Sequence, residues 1–284
     1  MFSILQREML SPESFLWEVR APDVARAAEP GQFVIIRLHE KGERIPLTVA
    51  DFDRARGTIT LVVKVVGKST EEMATYPKGG NFSDLIGPLG CPTHIEKLGH
   101  VVLVGGGIGV APIYPILRGF QACGTRTTTI LGFRTISQAF WIDRFKALTD
   151  RLIIITEDGS TPVKGTVLDA LRGSLLNGAT IDEVLAIGPV GMMQAVAEQT
   201  RPLNIKTIAS MNPIMVDGIG MCGACRVTVD GKVLFACVDG PDMDAHKVDF
   251  ESFKIRQRRF HQQEQAAWQR YRQECELQKR GRAR

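Results

Sequence analysis

The amino-acid sequence predicts a mixed α/β plus all-β fold: an N-terminal antiparallel β-barrel, a doubly wound parallel-sheet α/β domain, a small cysteine-containing hairpin domain and a C-terminal helix. Three observations support this expectation. The first part of the chain has short β-branched and aromatic runs between turn residues, the middle alternates apolar strands with helices, and three of the six cysteines lie within 16 residues. The 284 residues are about twice a usual domain of roughly 150, so more than one core is expected.

Composition and charge exclude several classes of protein. Hydrophobic residues make up 44% and charged residues 23% of the chain, values typical of a protein that buries a core. The net charge of +4 comes from residues 251–284, which contain ten Lys or Arg and four Glu, so the body has a small negative charge. A nucleic-acid-binding face is therefore not expected on the body. No segment approaches the roughly 20 apolar residues of a membrane span, and a cytoplasmic location is expected.

The first region, residues 1–97, is predicted to be the β-barrel. Its segments FLWEVRA, QFVIIRL and TITLVVKVV have strand composition, and the turn residues GPLG end it. A barrel is the economical arrangement because closure removes exposed strand edges.

Two barrel segments have polar groups suited to binding, although by themselves they favour a plain strand and a plain turn. ERIPLT, residues 43–48, combines a cation, a proline and a hydroxyl, and GKST, residues 67–70, follows a strand. GKST is not a Walker A motif, because Val62 and Val63 stand where its earlier glycine is needed. Its N–H and hydroxyl groups are still able to hold a phosphate.

The second region, residues 98–209, is predicted to be the α/β domain and to bind a nucleotide. VVLV followed by GGGIGVAP places glycines between a strand and a helix, where backbone N–H groups can approach a pyrophosphate. The loop departs from G-x-G-x-x-G, because Val110 and Pro112 take the sixth positions, and Arg134 stands in place of the usual acidic ribose ligand. A tight packing turn is the alternative.

Two further strand ends support the nucleotide site. IIITEDGS, which contains Glu157 and Asp158, and LAIGPVGMM, which contains Gly188 and Pro189, each follow an apolar strand. Ligands bind outside the carboxyl ends of strands in a doubly wound sheet. Packing at a helix start is the alternative for the two methionines.

The third region, residues 210–250, is predicted to be a hairpin that gathers cysteines. Asp230-Gly231 suits a type I′ turn, and if Val229 pairs with Lys232 then Cys225 and Cys237 meet at the open end of the hairpin. Cys222 would fold back from the preceding loop.

These cysteines, together with one carboxylate, predict a metal centre. Asp217, Cys222, Cys225 and Cys237 give D-x4-C-x2-C…C, the plant-type [2Fe–2S] spacing with aspartate in the first place. A zinc knuckle, with Asp217 as a turn residue, is the alternative. Cys91, Cys123, Cys275 and the five histidines show no ligand spacing.

The last region, residues 251–284, is predicted to be a basic helical tail. Gln and Glu are interleaved with the basic residues and aromatic residues are few. This pattern favours a solvated helix, or one that docks on a partner subunit, over a nucleic-acid-binding helix.

The order of barrel, GGGIGVAP block and three-cysteine segment resembles the ferredoxin reductase-like flavoprotein family. Within it, the chain is similar to small subunits of electron-bifurcating NADH-dependent ferredoxin:NADP oxidoreductases, sometimes labelled sulfide dehydrogenases, and to electron-transfer subunits of dihydroorotate dehydrogenase. The resemblance covers residues 1 to about 250 and rests on RIPLT, GKST, GGGIGVAP, GPVGMM and D-x4-C-x2-C-x11-C. Dihydroorotate-type subunits normally have four cysteines, so Asp217 favours the bifurcating type.

The resemblance implies an oxidoreductase subunit with FAD on the barrel, NAD(H) on the α/β domain and a [2Fe–2S] cluster. The residues implied for FAD are Arg44, Pro46, Leu47, Thr48, Val63, Lys64, Val65, Gly67, Lys68, Ser69 and Thr70. Those implied for NAD(H) are Gly106, Gly107, Ile108, Gly109, Gly188, Pro189, Met192 and Met193, and the strand ends add Arg134, Glu157 and Asp158 as candidates.

The same resemblance implies a heterodimer. Electrons would pass between NAD(H), FAD and the cluster to or from a large flavin and iron–sulfur subunit, through which ferredoxin and NADP are reached. No catalytic acid–base residue is expected, because the cofactors do the chemistry. The alternatives are an electron-transfer subunit of an NAD-dependent dihydroorotate dehydrogenase, a non-catalytic redox sensor, and a metal-dependent nucleic-acid binder.

Overall fold

The protein is described by a computed structural model that covers residues 1–176 and 180–282, with side chains up to residue 277 in the C-terminal helix. Residues 177–179 of the predicted α/β region and 283–284 of the predicted tail lie outside the described residues.

The N-terminal part is a barrel of seven antiparallel strands. Its elements are β1 (Phe2–Ser11), β2 (Ser14–Arg20), α1 (Pro22–Ala27), β3 (Phe33–Arg37), β4 (Arg44–Asp53), β5 (Thr58–Lys64), α2 (Lys68–Ala74), β6 (Asn81–Phe82) and β7 (Asp84–Leu89). The strand order is β6-β1-β2-β5-β4-β3-β7. Since only Ser83 separates β6 from β7, the two ends of the sheet come together and nearly close it.

Large aromatic side chains fill the barrel. Phe15, Trp17 and Phe82 are buried, and the rings of Trp17 and Phe82 stack with centroids 5.9 Å apart. Burial of such rings stabilises the barrel, at about 25 cal/mol per Å² of apolar surface.

The middle of the chain is a six-stranded sheet covered by helices on both faces. Its elements are β8 (His100–Gly106), α3 (Val110–Ala122), β9 (Arg126–Phe133), α4 (Ile142–Lys146), β10 (Arg151–Thr156), α5 (Val167–Leu176), β11 (Glu183–Ile187), α6 (Val190–Thr200) and β12 (Lys206–Ser210). These five strands are parallel, and the sixth strand comes from the C-terminal part of the chain.

The central strand β8 shows why the sheet is covered on both sides. Val101 and Leu103 belong to one buried cluster with residues of α3, whereas Val102 and Val104 belong to another with residues of α5 and α6. Successive side chains of a strand point to opposite faces, so the unbroken apolar run VVLV needs two helical layers.

The C-terminal part is a two-stranded hairpin followed by one edge strand and two helices. Its elements are β13 (Arg226–Val229), β14 (Lys232–Phe235), β15 (Asp242–Asp244), α7 (Phe250–Gln257) and α8 (His261–Arg282). The predicted register is confirmed, because Val229 pairs with Lys232 and Arg226 with Phe235. Asp230 and Gly231 have φ values of 51° and 72°, as a type I′ turn requires.

The edge strand β15 joins the hairpin region to the α/β sheet. It pairs antiparallel with β12, giving the order β10-β9-β8-β11-β12-β15. The division between domains at residues 209 and 210 stays a prediction. The predicted fold class is confirmed: a nearly closed barrel, a parallel-sheet domain, a cysteine hairpin and C-terminal helices.

The tail helix α8 docks on the barrel at α2. The Trp268 indole and the Arg272 guanidinium both donate hydrogen bonds to the Glu71 carboxylate, the second at 2.9 Å. The Arg272 guanidinium also lies over the Trp268 ring, 4.3 Å from its centroid. None of the helices within the described ranges combines the length and the apolar character needed to cross a membrane.

Candidate functional site

A cleft of about 930 Å³ lies between the barrel and the α/β domain. One wall is formed by the adjacent barrel strands β4 and β5. The other is formed by the loop after β8 and the carboxyl ends of β9, β10, β11 and β12. A cleft of this size is in the range that binds cofactors, and its position is where a doubly wound sheet takes ligands.

The barrel wall contains part of the predicted FAD residues. Pro46, Leu47, Thr48, Val63, Lys64 and Thr70 line the cleft. Arg44, Val65, Gly67, Lys68 and Ser69 are not among the lining residues. β4 and β5 pair antiparallel over Val49–Asp53 and Thr58–Leu61, so the RIPLT segment before Val49 and the VVK segment after Leu61 lie at the same end of this pairing.

The GKST turn is held by its own side chains. Thr70 Oγ1 accepts hydrogen bonds from the backbone N–H groups of Val66, at 2.9 Å, and Gly67, at 3.1 Å. The Ser69 hydroxyl hydrogen-bonds to Glu43, and the Lys64 ammonium pairs with Glu13 at 3.2 Å. The turn between β5 and α2 is therefore ordered beside the cleft.

The glycine loop forms the opposite wall, and all four predicted residues Gly106, Gly107, Ile108 and Gly109 line the cleft. Gly107 has φ of 57°, a conformation that favours glycine. A Cβ on Gly109 would lie 2.3 Å from the Ile187 carbonyl oxygen, so only glycine lets α3 start this close to β11. The loop is therefore shaped for close backbone approach.

The other strand ends contribute five of the predicted residues to the cleft: Arg134, Glu157, Gly188, Pro189 and Met192. Asp158 lies beside them but its carboxylate faces Ser160, whose hydroxyl donates to it at 2.7 Å. The hydrogen bonds from Ser160 lower the pKa of Asp158. Met193 is fully buried in the core and does not line the cleft.

The end of the cleft is formed by a segment that sequence reasoning missed. Ser210 ends β12 and Met211, Asn212, Pro213 and Met215 follow it; all five line the cleft. The available signal was their position after a parallel strand, because the carboxyl ends of all such strands share one edge. This segment leads directly to Asp217.

The hairpin brings two of the predicted ligands together. Cys225 Sγ and Cys237 Sγ lie 3.2 Å apart and both side chains are buried. Burial, followed by the neighbouring Cys225 thiol, raises the pKa of Cys237 to about 12. Without a metal this thiol stays protonated at neutral pH, so metal binding has to release its proton.

The other two predicted ligands lie in the loop before the hairpin. The Asp217 carboxylate accepts hydrogen bonds from the backbone N–H groups of Ile219, at 2.9 Å, and Cys222, at 2.5 Å. These hydrogen bonds lower the pKa of Asp217, and the bond from Ile219 has the largest effect. Cys222 is exposed.

The four donors suit a cluster of two irons, because their donor atoms are of the right kind and they fall into two pairs, one for each iron. Two sulfurs on one tetrahedral metal at about 2.3 Å lie about 3.8 Å apart, close to the separation of Cys225 and Cys237. Asp217 and Cys222 form a second pair on one loop, and a carboxylate has the single negative charge of a thiolate. Over residues 1–176 and 180–282, no three His, Cys, Asp or Glu side chains are gathered into a ready metal site. Full convergence of the four donors stays a prediction.

The loop from Asp217 to Cys222 packs directly on the barrel. A Cβ on Gly218, whose φ is 75°, would lie 2.7 Å from side-chain atoms of Ile35 and of Leu89. The loop that carries Asp217 therefore touches the strands β3 and β7, next to the cleft.

Comparisons with known sequences agree with this geometry. A profile of the iron–sulfur cluster binding domain of dihydroorotate dehydrogenase B matches residues 212–249. A Thermotoga maritima protein, named as a homologue of the dihydroorotate dehydrogenase B (NAD(+)) electron transfer subunit, is 44% identical over 268 residues, which are 94% of each chain. The electron transfer subunit from Fusobacterium nucleatum is 31% identical over 258 residues, 88% of this chain and 98% of that protein.

Solved structures show the same relationship. A chain from the structure of an NADH-dependent reduced ferredoxin-NADP oxidoreductase, described in the context of flavin-based electron bifurcation, has a TM-score of 0.90 and 43% identity, and covers 95% of this chain and 98% of that one. Phthalate dioxygenase reductase shares the fold at a TM-score of 0.57 and 15% identity, over 80% of this chain and 85% of that one. The resemblance expected from the motifs is confirmed.

Proposed function

The chain belongs to the family of dihydroorotate dehydrogenase B electron transfer subunits and their homologues, and from that premise we propose that it is the electron-transfer subunit of a ferredoxin:NADP oxidoreductase. It passes electrons between NAD(H), FAD and a [2Fe–2S] cluster, to or from a large partner subunit. The protein is thus an NAD(P)H-dependent flavin and iron–sulfur oxidoreductase subunit that takes part in electron bifurcation.

One observation supports this function most strongly: a single cleft is bordered by the barrel motif, the glycine loop and the segment that leads into the cysteine loop. The segment from Ser210 to Met215 lines the cleft and ends two residues before Asp217. A nucleotide, a flavin and a cluster would then be neighbours in that order. Electron transfer needs this proximity and no acid–base residue.

The residues of each wall have separate roles in this proposal. FAD is held by Pro46, Leu47, Thr48, Val63, Lys64 and Thr70 on the cleft wall, with Arg44, Val65, Gly67, Lys68 and Ser69 around it. The glycine loop and Gly188, Pro189 and Met192 hold NAD(H). Arg134 and Glu157 face the nucleotide from the strand ends, Asp158 lies beside them with its carboxylate turned to Ser160, and Met193 supports Met192 from the core. Asp217, Cys222, Cys225 and Cys237 hold the cluster.

The bound flavin supplies the change from two-electron hydride chemistry to one-electron transfer. The protein positions the two ring systems and excludes water. The apolar residues Ile45, Val62 and Phe133 in the cleft lining serve the second purpose.

The partner and the location are further parts of the proposal. The relatives are named electron transfer subunits, which implies an assembly with another subunit. We propose a heterodimer with a large flavin and iron–sulfur subunit, through which ferredoxin and NADP exchange electrons with this chain. We place the complex in the cytoplasm, the location expected from the sequence.

A second candidate function is supported by the names of the relatives. An electron-transfer subunit of an NAD-dependent dihydroorotate dehydrogenase would use the same cleft and hairpin. Asp217 in the first ligand position favours the oxidoreductase over this alternative. Reduction of the complex by dihydroorotate, with no reduction by ferredoxin, would reverse the order of the two.

The test is the visible spectrum of the anaerobically purified chain, with flavin, iron and sulfide contents, before and after NADH. We expect about one FAD and two irons per chain and bleaching by NADH. Cys225→Ser should lose cluster iron and keep flavin, whereas the control Cys123→Ser, at an exposed cysteine, should keep both. Colourless protein, or zinc in place of iron, would contradict the proposal. Flavin without turnover of NADH would indicate the redox-sensor alternative.

A further inference from the structure

Helix α7 packs against the hairpin of β13 and β14. Phe253 is 1% exposed and belongs to the same buried cluster as Cys225 and Cys237. At the start of α7, the backbone N–H of Asp249 donates to the Thr228 carbonyl of β13 at 2.9 Å, and the Asp249 carboxylate caps the helix. The hairpin and α7 therefore form one packed unit.

The other end of α7 is attached to the cleft. The Gln257 side-chain amide donates to the Asn212 carbonyl oxygen, at 3.1 Å, and to the Asn212 side chain, at 3.0 Å. Asn212 lines the cleft. Helix α7 is thus held by the hairpin at its start and by Asn212 of the cleft at its end.

Arg256, one residue before Gln257, points into the cysteine loop. Its Nη2 donates a hydrogen bond of 3.3 Å to the Ala224 carbonyl, and Ala224 lies between Cys222 and Cys225 in the chain. Arg256 is half-buried. Arginine stays charged at neutral pH, so a fixed positive charge lies beside the loop.

The charge on Arg256 has other charged groups near it. Burial, and then the neighbouring Arg226 and Arg259 guanidinium groups, lower the pKa of Arg256, while the Cys225 thiol acts in the opposite direction. Two carboxylates belong to the same region: that of Asp217 in the loop, and that of Asp239, which accepts a hydrogen bond of 2.7 Å from the Phe235 N–H. Both carboxylates are unchanged by substitution at Arg256.

We propose that the positive charge of Arg256 raises the reduction potential of the [2Fe–2S] cluster. The inference rests on the proposed function, because it needs the cluster at Asp217, Cys222, Cys225 and Cys237. One-electron reduction adds one negative charge to the cluster, and a nearby positive charge lowers the free energy of that state. Arg256 therefore favours the acceptance of an electron from the flavin.

The experiment is a reductive titration of the full chain, followed by the electron paramagnetic resonance signal of the reduced cluster. Arg256→Gln and Arg256→Met both remove the charge, and Met keeps the apolar stem. We expect a shift of about tenfold in the one-electron equilibrium towards the oxidised cluster, which is about 59 mV. Arg256→Lys keeps the charge and should retain most of the wild-type potential.

The matched control is Arg258→Gln, which removes the same charge from an exposed residue at the end of the same helix. Its cluster potential should stay at the wild-type value. Equal potentials in Arg256→Gln or Arg256→Met and in Arg258→Gln would overturn the role of Arg256, and so would an equal loss of potential in Arg256→Lys. Wild-type protein without iron or a paramagnetic signal would instead overturn the proposed function, so the two failures are distinguishable.

Discussion

The glycine loop allows a substitution whose cost can be worked out from its contacts. In Gly109→Ala, the added Cβ would lie 2.3 Å from the Ile187 carbonyl oxygen, 2.6 Å from its carbon and 2.9 Å from the Gly188 Cα. All three atoms are backbone, so no side chain can rotate away. Ordinary contact at about 3.5 Å requires the start of α3 to move from β11 by about 1 Å.

Two losses should follow from this movement. Overpacking of this kind costs about 1–3 kcal/mol of unfolding free energy. A misplacement of about 1 Å at a nucleotide site can lower the rate of hydride transfer about 100-fold. The first loss is measured by urea denaturation and the second by stopped-flow reduction of the flavin with NADH.

The control is Gly173→Ala in α5, where an added Cβ meets no atom within 4 Å. Alanine is the better helix former by about 1 kcal/mol, so this variant should be slightly stabilised with normal NADH reduction. If Gly109→Ala is as stable and as fast as Gly173→Ala, the loop does not require its close contact with β11 and the argument for a nucleotide-shaped loop is refuted.

Two further predictions concern the tail helix and the pH dependence of stability. Trp268→Phe removes the hydrogen bond to Glu71, worth about 1 kcal/mol, so hydrogen exchange of α8 amides should quicken about fivefold, with Arg270→Gln as an unaffected control. Burial is the main cause, and the Arg126 charge the second cause, of a lowered pKa for His100 in the folded protein. As the pH falls, the imidazole is therefore protonated in the unfolded chain before it is protonated in the folded one. Stability should therefore be complete above about pH 6.5 and fall as pH decreases below it, by at most about 1.4 kcal/mol per pH unit for this group. His100→Gln should flatten that slope in urea denaturation. An unchanged slope, or unchanged exchange in Trp268→Phe, would contradict the respective prediction.

The sequence predicted features that depend on neighbours in the chain. Asp230-Gly231 set the turn, and the turn set the register that brings Cys225 opposite Ala236 and beside Cys237. The unbroken apolar run of β8 likewise required a sheet covered on both faces.

The sequence was less informative where a side chain's direction depends on packing. Met192 and Met193 are adjacent and chemically the same, yet Met192 lines the cleft and Met193 is buried in the core. Neighbouring positions of a helix point about 100° apart, and only the packing of α6 on the sheet decides which faces the cleft.

The fold class, the hairpin and the spacing of the four candidate ligands are readable from the chain alone, because periodicity, turn residues and residue order are all local features. The tertiary structure decided that Ser210–Met215 close the cleft, that α8 rests on α2 and that Arg256 reaches Ala224. Arg256 and Ala224 are 32 residues apart, and Trp268 and Glu71 are 197 apart. No local pattern encodes such meetings, since they result from how whole elements pack on one another.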